Sequence, residues 1–153
     1  MSNFTKLATA AANNIGTTSA WVKLQDGQYI EVHPTGEFLV RKVAFIDNKP
    51  VNEAEAPLGA SIQTRFALEV VVLADNKPIG IKVMELPAIP ATEISQVMVA
   101  DPTAIVKIGR EVVKGRSIYT VIKNTAETFD AAARKAMKAM RRIDLNRLYG
   151  IAA

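Results

Sequence analysis

The chain has 153 residues, 49% of them apolar and 22% charged, which is the composition of a globular protein rather than a disordered one, and one domain is the default at this length. It has no Cys, which excludes a disulfide framework and thiolate metal sites, and no apolar run near the ~20 residues of a membrane-spanning helix. Its formal charge of +4 is split, with 8 Lys and Arg against 10 Asp and Glu in residues 1–100 and 11 against 5 in residues 101–153, so the C-terminal third suits an anionic partner.

Residues 1–14 contain one Lys and a run of Ala but no strongly apolar core, so they do not read as a secretory signal. Phe4, Leu7, Ala8, Ala11 and Ile15 fall on one helical face, with Ser2 to cap the start and Gly16 to end it. A helix of about 12 residues is marginal alone and must pack on its own domain or on a neighbouring subunit.

From Trp21 to Met84 the period changes to two. Trp21-Val-Lys-Leu24 and Tyr29-Ile-Glu-Val32 flank Gln25-Asp-Gly-Gln28, which predicts a hairpin with Asp26-Gly27 at its tip. Pro34-Thr-Gly36 predicts another turn, leading into a strand at 38–46. A strand at 62–73 is rich in β-branched and continuous apolar positions, as a buried central strand requires, and 79–84 follows it. Asp47-Asn-Lys-Pro50 and Asp75-Asn-Lys-Pro78 each end an apolar strand with turn chemistry, either as two independent hairpin turns or as a duplication. Both readings give an antiparallel meander.

Leu86-Pro-Ala-Ile-Pro90 closes the β region, and 93–100 fits strand or helix equally. Asp101-Pro102 reads as a helix opening, with Ile105, Ile108, Val112 and Val113 as its stripe and Gly115 as its stop. Residues 116–123 read as one more strand. A long C-terminal helix then starts from Asn124 or Thr125, buries Phe129, Ala133, Ala136, Met140 and Ile143, and ends at Gly150. The expected fold is α+β: an antiparallel five- to six-stranded sheet or small barrel with an N-terminal helix and a basic C-terminal helix. It forms a single domain over 1–153, with an arm at 1–20, a β meander at 21–90 and a mixed segment at 91–153.

Arg134, Lys138, Arg141 and Arg142 recur at helical spacing, and Arg110, Lys114, Arg116 and Lys123 add cations just upstream. A solvated helix face is the commoner use of such a run; the functional readings are a phosphate-contacting stripe and a surface that pairs with an acidic subunit. Trp21, Tyr29 and Phe38 fall on the predicted strands. They are either core residues or, on one exposed face, a platform for stacking single-stranded bases. Met137 and Met140 beside Ala132, Ala133, Ala136 and Ala139 fit core packing or association between subunits.

His33 is the only histidine and, standing before Pro34, reads as a surface turn residue. Glu53 and Glu55 lie in a loop that gives no reason for a raised pKa. Neither a nucleophile elbow, nor a phosphate-binding Gly-rich loop, nor a two-histidine metal motif is present. The sequence therefore favours a non-enzymatic nucleic-acid-binding protein, oligomeric and without cofactor or metal, with single-stranded ligands preferred. The alternative is a structural assembly subunit, for instance of a virus particle, joined to its neighbours by its N-terminal segment and last helix. The expected location is the cytoplasm, or an infected cell or particle.

Overall fold

The computed structural model describes residues 20–46 and 49–151, and more than half of these lie in strands. In chain order they form β1 (Trp21–Val22), β2 (Tyr29–Ile46), β3 (Lys49–Asn52), a 3-10 turn at Glu53–Glu55, β4 (Ile62–Ala74) and β5 (Lys77–Pro87). Then come α1 (Ala88–Ala100), β6 (Ala104–Val113), β7 (Arg116–Thr128), α2 (Ala131–Lys138) and α3 (Leu145–Leu148). The expected N-terminal helix falls outside the described residues. All seven strands join one sheet in the order β1-β5-β4-β2-β6-β7, with β3 added to β2.

This corrects the expected antiparallel sheet or barrel of five or six strands. The sheet is mixed, because β1 runs parallel to β5, and it is open, because among the described residues β7 pairs with β6 alone. Val32, Val70, Val72, Met84, Val106 and Ile108 line one face beneath Ile94 of α1. Val71, Leu73, Ile81, Ile105 and Phe129 line the other beneath Ala133 of α2, and Ala67 and Val83 lie beneath Leu145 of α3. Both faces of β4 are thus covered, which is why 70–73 is apolar without alternation.

The turn at Gln25–Gln28 forms, with Gly27 at φ +81° and Gln28 N–H donating to the Gln25 carbonyl at 3.1 Å, but it joins no hairpin. Its polar groups go to β6 instead: Gly27 N–H donates to the Arg110 carbonyl at 2.8 Å, and Asp26 Oδ1 accepts from Val112 N–H at 2.9 Å. The chain therefore leaves β1 at the sheet edge and re-enters between β4 and β6. Pro34-Thr-Gly36 does not end a strand either. β2 runs through it with a register shift against β4 between Pro34 and Phe38, where Gly36 takes φ +100°. Of the two Asp-Asn-Lys-Pro copies, Asp75 and Asn76 form the tight β4–β5 turn at φ +49° and +63°. Asp47 and Asn48 lie outside the described residues, between the antiparallel strands β2 and β3.

Residues 93–100 are helical, within α1. The expected helix after Asp101-Pro102 is strand β6, because Asp101 folds back on itself: its Oδ1 accepts from Thr103 N–H at 3.0 Å and Thr103 Oγ1 at 2.7 Å. Lys114 and Gly115, at φ +52° and +77°, then make a two-residue hairpin turn into β7. The single long C-terminal helix is likewise corrected. β7 continues to Thr128, and Asn124 Oδ1 accepts from Ala126 and Glu127 N–H at a register shift in that strand rather than at a helix start. Helix α2 has only eight residues, starts at Asp130, whose carboxylate accepts from Ala133 N–H at 2.8 Å, and leaves Ala136 exposed.

Candidate nucleic-acid interface

Helix α2 is short, Ala-rich and capped at Asp130, and its Lys135 and Lys138 stand near the negative end of its dipole. Ala133, Met137 and Met140 press onto the sheet cluster around Phe129, so the two methionines contribute to core packing. With that side packed inwards, Arg134, Lys135 and Lys138 are exposed, with Arg141 just beyond the helix. None of the four has an ion-pair partner among the described residues, and residues 131–143 contain no acid. Arg134 and Lys138, four positions apart, are separated by about 6 Å along the axis, close to the spacing of successive phosphates on a nucleic-acid strand.

The other cations singled out in the sequence do not join this surface. Arg142, though half-exposed, is tied to the sheet: its Nε donates to Glu69 Oε1 at 2.9 Å, and Ile143 N–H donates to Glu69 Oε2 at 2.8 Å. Lys123 pairs with Asp101 at 3.0 Å, and Arg110 donates to the Leu24 carbonyl at 2.9 Å and to Ser117 Oγ at 2.8 Å. Lys114 and Arg116 stand exposed at the tip of the β6–β7 hairpin, about 23 Å along β7 from Lys123 at ~3.3 Å per residue.

The aromatic trio is not brought together. Trp21 sits on the edge strand β1, donating from Nε1 to the Tyr149 hydroxyl at 2.8 Å, with the two rings edge-to-face. Tyr29 is exposed on β2, with Lys107 Nζ 4.0 Å from its ring centre. Phe38 is exposed on the opposite side of the sheet, where it borders an open, largely apolar groove of about 280 Å³ with Leu68, Ala91 and Met98. No stacking platform results.

Sequence reasoning also missed Lys135, although it lies in the same basic run, and the buried polar groups. Glu69, only 1% exposed, accepts from Thr35 Oγ1 at 2.6 Å as well as from Arg142 and Ile143. Burial alone would push this carboxyl up, but the hydrogen bonds from Arg142, Thr35 and Ile143 and the Arg142 charge outweigh it and hold it below its ordinary value. A lone Glu within the apolar run 67–73 was the available signal, since a carboxylate buried there needs a cation. An open groove of about 300 Å³ lies beside this pair, bordered by Glu37, Phe38, Asp144 and Asn146.

His33 is buried, not a surface residue. Its Nδ1 lies 2.7 Å from the Ala104 carbonyl, and its ring stacks on Phe129 at 3.9 Å. Burial lowers its pKa against the opposing effect of the Ala104 hydrogen bond. Arg41 bridges Glu85 at 2.9 Å and lies 4.3 Å from the Tyr149 ring centre, which locks α3 to the sheet together with Trp21. Among the described residues no three His, Asp or Glu side chains gather as a metal site would need, and no helix is long and apolar enough to cross a membrane. Comparison with protein-family models, with curated proteins and with solved structures finds no match.

Proposed function

We propose that the chain is a non-enzymatic nucleic-acid-binding protein that contacts phosphates through the outer face of α2. The observation that carries this reading is the set of four exposed cations, Arg134, Lys135, Lys138 and Arg141, with no carboxylate within residues 131–143 and no ion-pair partner among the described residues. Held on a helix whose other side is fixed to the sheet core, they form a preorganised positive surface. Phosphate contacts position a ligand without reading its bases, so the binding is sequence-independent.

About four contacts give a slope of log K against log salt of roughly −3 to −4. The test is fluorescence anisotropy with labelled oligonucleotides, comparing the natural chain with Arg134→Glu/Lys138→Glu. The charge reversals are expected to weaken binding at least tenfold and leave the far-UV circular dichroism unchanged. Unchanged affinity would remove α2 from the interface. Arg142→Glu is a poor probe, because it breaks the contact with Glu69 as well as removing a cation.

A further inference from the structure

The uncovered edge of β7 carries a second inference, independent of the phosphate reading. Arg110 of β6 exchanges backbone hydrogen bonds with Gln28 and Gly27, and Val112 N–H turns to Asp26, so both face away from β7. Their partners across the ladder, Tyr119 and Ser117, must then turn their own N–H and C=O groups to the open side. The alternation continues through Val121 and Lys123. Among the described residues no element pairs with that side.

The exposed edge has the composition that proteins usually guard against. Ser117-Ile-Tyr-Thr-Val-Ile122 contains no charge and no Pro, and five of its six residues are β-branched or aromatic. The cations flanking it are Arg116, at the hairpin end of the strand, and Lys123, which is engaged with Asp101. Edges of this kind are normally shortened, charged or covered, and the opposite edge of the sheet is indeed a strand of two residues.

We propose that β7 pairs antiparallel with β7 of a second copy about a two-fold axis at Thr120. The sequence is self-complementary in that register. Tyr119 meets Val121 of the second copy and Ser117 meets Lys123, so all the outward backbone groups pair and form about eight hydrogen bonds. On the face bearing Thr120, Ile118 meets Ile122 of the second copy, and both isoleucines are open in the single chain at 49% and 53% exposure. Nowhere along the pairing does a like charge stand opposite another. The two-fold axis is perpendicular to the sheet, so the joined sheet has fourteen strands, twice the seven of one chain, and carries both α2 helices on one side.

The test is sedimentation velocity from about 1 to about 200 µM, the range in which a small interface associates. The natural chain is expected to shift from monomer to dimer. Ile118→Lys/Ile122→Lys places Lys against Lys twice, and at least tenfold weaker association is expected. Ile118→Lys/Ile122→Glu places opposite charges together and is expected to restore dimerisation to within about threefold of the natural chain. The restoring pair also suits its own chain, since Glu111 faces position 118 and Lys107 faces position 122. Circular dichroism checks that both variants fold. A natural chain that stays monomeric throughout overturns the proposal and leaves the edge to residues 1–19 or to another partner. Two double variants that associate equally, whether strongly or weakly, overturn the register.

Discussion

Replacing Arg142 with Ala tests the most specific interaction in the molecule. Glu69 is almost fully buried while the Arg142 side chain is 49% exposed, so the loss falls mainly on the carboxylate, which keeps its charge and loses its cation. Breaking a fully buried pair costs about 3–5 kcal/mol. Here Thr35 and the Ile143 N–H still donate to Glu69 and the open groove beside it admits water, so about 2–3 kcal/mol is expected. For a chain of this size that is roughly 5–10 °C in Tm. Urea denaturation followed by circular dichroism measures it, and the double-mutant cycle with Glu69→Gln should show a coupling of at least about 1 kcal/mol. The pH dependence has a fixed sign: a carboxyl held low in the folded state stabilises above its ordinary value of 4.5, and the contribution disappears as pH falls through the lower folded value. Glu69→Gln should therefore flatten the acid limb of the stability curve. A loss below about 0.5 kcal/mol for Arg142→Ala would refute the reasoning, because it would mean that the buried carboxylate has no need of its cation.

His33 is the only histidine, so its ring signals in proton NMR are unambiguous, and its titration midpoint should lie below 6.5 because burial disfavours the charged ring. A lowered His pKa stabilises above 6.5 and is lost as pH falls through the folded value; a midpoint at or above 6.5 would contradict the buried placement. Trp21 is likewise the only tryptophan, and Tyr149→Phe removes the acceptor of its indole N–H. That substitution should cost about 1 kcal/mol and alter Trp21 emission, and unchanged emission would argue against the latch. In the natural chain, burial pushes the Tyr149 hydroxyl up to about 12, so ultraviolet titration should show one of the three tyrosines ionising well after an ordinary phenol.

The parts of the fold legible in the sequence were those decided locally. The β4–β5 hairpin followed from Asp75-Asn76 between two apolar runs, and the 116–123 strand from its β-branched content. Strand β6 was misread because Ile105, Ile108 and Val112 also satisfy a helical period. In the structure Ile105 faces α2 while Val106 and Ile108 face α1, and a sheet covered on both sides shows no alternation. The long C-terminal helix failed for a non-local reason. The grip of Glu69 on Arg142 and Ile143 holds the link between α2 and α3 against the sheet, and no spacing within 124–150 records a partner on β4. The cations of α2 were visible as a spacing. Whether Arg142 belonged with them depended on a carboxylate 73 residues away.

The central claim, a phosphate-binding surface on α2, is tested most directly by the salt dependence of oligonucleotide binding to the natural chain. Anisotropy titrations from low to moderate salt are expected to give a straight line of log K against log salt with a slope of roughly −3 to −4, for single and double strands alike. The slope should be roughly halved in Arg134→Glu/Lys138→Glu. Absence of binding at the lowest salt, or binding indifferent to salt, would contradict the claim and leave the cations of α2 as a solvated face.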